Sequence, residues 1–195
     1  MVIAHHLIWT AYGTWLPNDP RGSGSHSIAA VQLAELGELH YGRKKVQPSG
    51  RDIREFYDRA EERLLFDVIH FNAQQIQLVA EALAVAIGDF DYTCYACAIM
   101  PDHAHMIIRK HKHLAEEMIE NLQASTRLRF SKSRLISPDH PLWTLGGWKR
   151  FLDSPPRVQQ VIRYVEQNPT EIGLTAQKWP FVTPYDNWPF HHRKK

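Results

Sequence analysis

The stretch MPDHAHMII, Met100 to Ile108, sets His103 and His105 one residue apart ahead of an apolar run. Side chains alternate along a strand. In an extended segment the two imidazoles therefore share a face with Ile107, and Ala104, Met106 and Ile108 share the other. Same-face neighbours have Cβ atoms roughly 7 Å apart, within reach of one divalent cation. The chain has 12 histidines, and His-x-His recurs by chance. On spacing alone a metal site and an ordinary histidine pair both stay open, and imidazole does not name the metal. A second candidate lies in RVQQVIRYVEQN, Arg157 to Asn168. At about 100° per residue, Val158, Val161, Ile162 and Val165 form one apolar stripe. Tyr164 and Asn168, four residues apart, stack at its edge. A tyrosine there is a possible nucleophile, but it can equally pack its ring and leave its hydroxyl to water. Asn168 before Pro169 also suits a helix end, because the residue before proline leaves the α region.

These residues need elements to hold them. Val2 to Trp9 is a first strand, followed by a Gly- and Pro-rich loop, TAYGTWLPNDPRGSGS. The polar segment from about 28 to 52, with the breaker QPSGRD inside it, is expected to be an insertion, part helix and part mobile. A helix follows from Ile53 through REFYDRAEERLLF, and another over NAQQIQLVAEALAVAIG with Ile76, Val79, Leu83 and Ile87 on one face. Tyr92 to Ile99 and His103 to Arg109 form a hairpin turned by Pro101 and Asp102. A helix runs from about Leu114 to Phe130, with Leu114, Met118, Leu122 and Leu128 expected inside. The last helix spans Arg157 to Asn168 and is halted by Pro169. Leu142 to Leu145 is the expected fourth strand. This order predicts an α+β fold: a ferredoxin-like antiparallel sheet with helices on one face and a C-terminal helix carrying the tyrosine.

The totals are compatible with this. The 195 residues suit one domain, 1–195, and 44% hydrophobic residues can build a core. A formal charge of +2 neither demands nor excludes a nucleic-acid partner. No apolar run approaches a membrane span, and no secretory signal is legible, so the cytoplasm is expected. Cys94 and Cys97, spaced C-x-x-C in a β-rich stretch, should point to opposite faces of a strand and act as small buried apolar residues.

Together ACAIMPDHAHMII and RYVEQNPTEIGL resemble the two signatures of the HUH single-strand endonucleases. The branch they look most like is the REP-associated single-tyrosine transposases. IWTAYGTWLPNDPRGS, LWTLGGWKRFLDS and a late WPF support the likeness, which spans about Ile3 to Trp188 and is weakest from 28 to 52. The resemblance implies a ferredoxin-like fold, His103 and His105 as metal ligands, Tyr164 as nucleophile, and Asn168 completing the metal site with Gln167 as a fallback. Asp102 receives no catalytic role. The implied cofactor is a divalent metal, Mg²⁺ or Mn²⁺; two imidazoles suit Mn²⁺ at least as well, because Mg²⁺ prefers oxygen.

The implied function is a metal-dependent single-stranded DNA endonuclease and strand transferase that forms a 5′-phosphotyrosine at hairpin-bearing DNA. A tyrosine hydroxyl with pKa about 10 is a poor nucleophile at neutral pH, and a cation on the scissile phosphate would stabilise the developing charge. Single strands need cations and stacking surfaces. Arg127, Arg129, Lys132 and Arg134 surround Phe130, and Trp148, Lys149 and Arg150 follow later. For each set the alternative is a solvated charged face with core aromatics. Arg21 is a weaker phosphate contact, and the basic tail at 190–195 is expected to be flexible. The partner is single-stranded or hairpin DNA, with no membrane, and the protein is a monomer or homodimer. Two other readings stay open: a domesticated structured-DNA-binding protein without productive transposition, and a ferredoxin-like metal-binding protein with no nucleic-acid role.

Overall fold

The computed structural model describes residues 1–25, 28 and 31–190. Strand β1 (Ala4–Thr10) is followed by a one-turn helix α1 (Val31–Ala34), α2 (Gly50–Glu61) and α3 (Ala73–Asp89). Then come β2 (Cys94–Ile99), β3 (His103–Arg109), α4 (Ala115–Ser133), β4 (Trp148–Leu152) and α5 (Pro155–Glu171). The strands form one sheet in the order β2-β3-β1-β4, and every pairing is antiparallel. With a helix crossing from β1 to β2 and another from β3 to β4, this is the ferredoxin-like α+β arrangement.

Alternation along the strands builds two apolar layers. Leu7, Trp9, Ala104, Met106 and Ile108 face α3 and α4, where Val79, Leu83, Met118, Ile119 and Leu122 close the larger core. Ala4, Ala96, Ala98, Ile107 and Leu152 face the other way, against Val158, Val161 and Val165 of α5. Two helices thus cover one face, and the C-terminal helix covers part of the opposite one. A third cluster joins Leu16 and Leu33 to Phe56 and Ala60 of α2.

Several boundaries differ from the sequence expectation for identifiable reasons. Helix α2 begins inside the QPSGRD stretch, because Ser49 and Asp52 make a reciprocal capping box. Leu114 and Leu128 are exposed rather than buried, and Ile119 and Phe130 take the interior places on α4. The fourth strand lies at Trp148–Leu152, whereas Trp143 makes only an isolated bridge to Ala11. Four of the five β4 residues are not buried, so the strand has little of the apolar alternation that marks a half-covered one. Helix α5 opens with Pro155 and Pro156, which lack N–H groups the first turn would leave unsatisfied. It continues through Pro169 to Glu171. A β-bulge between Cys94 and Ala96 resets the alternation, so both cysteines belong to the α3–α4 core rather than to opposite faces. Both are free thiols, and burial drives the Cys94 pKa up to about 12 and Cys97 well above its ordinary value.

The chain after α5 returns along the outer edge of β2. Thr183 N–H donates to the carbonyl of Cys94. Gln177 offers both ends of its amide to one residue of the strand: its Oε1 accepts from Ile99 N–H at 2.8 Å, and its Nε2 donates to Ile99 C=O at 2.7 Å. Of the tail expected to be flexible, only Phe190 is among the described residues.

Candidate active site

His103 is paired with Thr10 and His105 with Ile8 across β1–β3. Antiparallel partners share a face, and that face is the one towards α5. The imidazole nitrogens form a continuous series. His103 Nδ1 lies 2.6 Å from Asp102 Oδ1, His103 Nε2 lies 3.0 Å from His105 Nε2, and His105 Nδ1 lies 3.0 Å from His6 Nε2. His6 was not identified from the sequence. It stands two positions before Ile8 on β1, and only the register of β1 against β3 brings it beside His105.

Helix α5 brings Tyr164 to this row. Its ring centroid is 5.8 Å from that of His105 and 6.2 Å from that of His6, edge-on to both. The tyrosine is 47% exposed, whereas His105 is 4% exposed. One turn further on, Asn168 is nearly buried. Its Nδ2 donates to the Tyr164 carbonyl at 2.7 Å, which leaves Oδ1 as the amide atom that bond does not use.

The surroundings keep His6 and His105 neutral. Burial, then the charge of Arg150, lowers the His6 pKa to about 4. Burial, then the neighbouring His103 and His6, lowers that of His105 to about 2. Burial alone would raise the Asp102 carboxyl, but its hydrogen bond from His103 outweighs this, and its pKa is lowered.

The donor set suits a divalent cation. Two nitrogens held at right angles about 2.1 Å from one ion lie about 3.0 Å from each other, which is the spacing of His103 Nε2 and His105 Nε2. Among the described residues no group of three or more His, Cys, Asp or Glu side chains is arranged to hold a metal. Any further ligands would come from outside that residue set, such as water or a bound phosphate. Behind the two imidazoles, Asp102 and His6 occupy both Nδ1 positions, the outer-shell arrangement that orients metal-binding histidines.

Beside Tyr164 opens a cleft of about 520 Å³ lined by His6, Trp148, Lys149, Arg150, Arg157 and Gln160, among others. Arg150 pairs with His6 across β4–β1 and Trp148 with Ile8, so both side chains share the histidine face. Lys149 points to the other face and makes an ion pair with Glu116 of α4. Arg157 and Gln160, absent from the sequence-derived set, lie seven and four residues before Tyr164. Their side chains touch, Arg157 Nη1 donating to Gln160 Oε1 at 3.0 Å. Arg127, Arg129, Lys132 and Arg134 are not brought to this cleft. They sit on α4 and at its C-terminal end, across the sheet, where Arg129 pairs with Glu81 of α3 at 2.9 Å. Arg21 is engaged elsewhere: it grips the buried carboxylate of Asp19 through Nε and Nη2 and stacks on Trp15, 3.9 Å from the ring centroid.

No family model matches the chain, and no curated protein matches it. Two solved structures are similar in part. One is a REP-associated tyrosine transposase bound to a REP hairpin, with 9% identity and a TM-score of 0.48, covering 89% of this chain and 70% of that one. The other is a Deinococcus radiodurans R1 protein assigned as a transposase, with 13% identity and a TM-score of 0.36, covering 86% of this chain and 91% of that one. A likeness of this degree carries no inference about what the chain does. Among the described residues no helix is long and apolar enough to cross a membrane.

Proposed function

We propose that the chain is a divalent-metal-dependent endonuclease and strand transferase that uses Tyr164 to cut single-stranded DNA beside a hairpin. One observation supports this reading above the others: an exposed phenol ring 5.8 Å from an imidazole whose Nε2 converges with a second imidazole's, at the head of a cleft lined by arginines.

In this reading His103 and His105 hold Mn²⁺ or Mg²⁺ through Nε2, with the Asn168 carbonyl as a further ligand. The cation, when bound, supplies Lewis-acid stabilisation of charge on the scissile phosphate. Tyr164 Oη forms a bond to phosphorus as the bond to the 3′-oxygen breaks. The phenol loses a proton and the leaving oxygen gains one, so a 5′-phosphotyrosine and a free 3′-hydroxyl result. The phosphodiester energy stays in that link, and a second 3′-hydroxyl can reverse the step and join a new strand. Trp148 supplies a stacking surface and Arg150 a phosphate contact, with Lys149 beside them once it leaves Glu116. Arg127, Arg129, Lys132 and Arg134 belong to a separate patch. The helix that carries them packs through Gln123 and Thr126 on the 143–146 segment next to Ala11. That patch therefore lies at the His103 end of the sheet, where a hairpin stem could rest.

The test is to incubate the protein with Mn²⁺ and a labelled single-stranded oligonucleotide carrying a hairpin, and to look for an SDS-resistant adduct. An adduct is expected with the native chain. Tyr164→Phe should abolish it while leaving hairpin binding nearly unchanged. Binding without an adduct on any DNA tried would instead support a structured-DNA-binding protein that does not cut.

A further inference from the structure

The hydrogen bonds of the histidine row have a direction. A carboxylate only accepts, so in the neutral form of His103 Asp102 fixes the proton on Nδ1 and leaves a lone pair on Nε2. The nitrogen facing it at 3.0 Å, His105 Nε2, must then bring a proton, because two lone pairs at that distance repel. A neutral His105 protonated on Nε2 has a bare Nδ1, which must accept from His6 Nε2, again at 3.0 Å. In that form the cation-free row is a one-way donor chain, His6 to His105 to His103 to Asp102.

A cation between His103 and His105 requires the opposite tautomer at His105. Its Nε2 must be bare, so its proton must sit on Nδ1, and that buried N–H then needs an acceptor. His6 Nε2 is the atom in place, and it can accept only if His6 carries its own proton on Nδ1. Before and after, each of the three imidazoles holds one proton. The change is a reversal of tautomer at two residues with no net gain or loss.

We propose that His6 is a positioning residue of this site, which exchanges donor for acceptor at His105 Nδ1 when a cation enters between His103 and His105. The exchange rests on the metal reading proposed above. The donor chain of the cation-free protein does not depend on that reading.

Nitrogen-15 NMR of the histidine rings tests this in the full chain, with EDTA and then with Zn²⁺ as a diamagnetic probe. In EDTA, His6 and His105 are expected as Nε2–H tautomers and His103 as Nδ1–H. With saturating Zn²⁺, His6 and His105 should both become Nδ1–H. Calorimetry adds a second readout. His6→Phe should weaken Zn²⁺ binding about 10–100-fold, the usual cost of removing an outer-shell partner. His6→Gln, whose amide can donate or accept, should recover most of that affinity. Thermal unfolding in EDTA separates a loss of fold from a loss of affinity, and the native-chain spectra need no variant. Zn²⁺ binding with an unchanged His105 tautomer, or undiminished affinity in a folded His6→Phe, would overturn the inference while leaving the adduct chemistry standing. Absence of both Zn²⁺ binding and the DNA adduct would overturn the two together.

Discussion

His6 and His105 are buried imidazoles that the fold keeps uncharged. Their ordinary pKa of 6.5 is lowered to about 4 and about 2, so between about pH 6.5 and 4 the unfolded chain binds protons that the folded chain refuses. Their contribution to stability is fully present above about pH 6.5 and is lost progressively as pH falls below it. In EDTA, the urea midpoint should drop between about pH 7.5 and 4.5, and His6→Gln should make the profile shallower. A midpoint that does not move over that range would contradict the burial assigned to these rings. At this scale the sequence was legible only along one strand. Alternation places His103 and His105 on one face from MPDHAHMII alone. His6 comes from another strand nearly a hundred residues away, and nothing local encodes which β1 residue will meet β3. The link from Asp102 to His103 was likewise invisible, because a turn residue beside a histidine is ordinary in sequence.

Elements position these groups through close approaches as much as through periodicity. Gly147 precedes β4, and a Cβ there would fall 2.5 Å from the Ile8 carbonyl oxygen and 3.1 Å from Trp9 Cβ. Gly147→Ala should therefore push β4 away from β1, cost about 1–3 kcal/mol in urea unfolding, and weaken DNA binding by displacing Trp148 and Arg150. Unchanged stability would show that β4 tolerates the shift. Such a close approach cannot be inferred from LGGW, which marks a turn and nothing more. The strand itself was hard to find because its core contribution is Leu152, whereas Leu142 to Leu145 looks more apolar yet contributes a loop with a single bridge. The hairpin and α5 were easier: their apolar residues recur at regular spacing, and packing follows that spacing directly. Helix α5 runs through Pro169 to Glu171 although proline cannot donate to the carbonyl four residues back, so the sequence marks a stop that the helix passes by two residues.

Across the whole molecule, the sheet separates two sets of cations. Arg150 and Arg157 share the cleft with Tyr164, and the α4 set lies beyond the opposite core. Replacing Arg150 and Arg157 with Gln should weaken binding of an unstructured single strand whatever its sequence. It should also flatten the salt dependence of log affinity by about 0.7 for each phosphate that is no longer neutralised, as fluorescence anisotropy would show. The same change at Arg127 and Arg129 should leave that strand's affinity nearly intact and act only on DNA with a duplex stem. Equal weakening from both pairs would mean a path around the sheet rather than through the cleft. Composition could not anticipate this division, since a net charge of +2 averages over both surfaces.

The return of the chain along β2 bears on how copies of the protein can associate. An uncovered outer strand is an open invitation to annealing, because its amides and carbonyls will accept any extended peptide that arrives. Here a side-chain amide answers Ile99 as a neighbouring backbone would, and it ends there instead of propagating. On that flank the protein is closed to growth by strand addition, and two molecules meeting there must do so through side chains rather than by merging into one longer sheet.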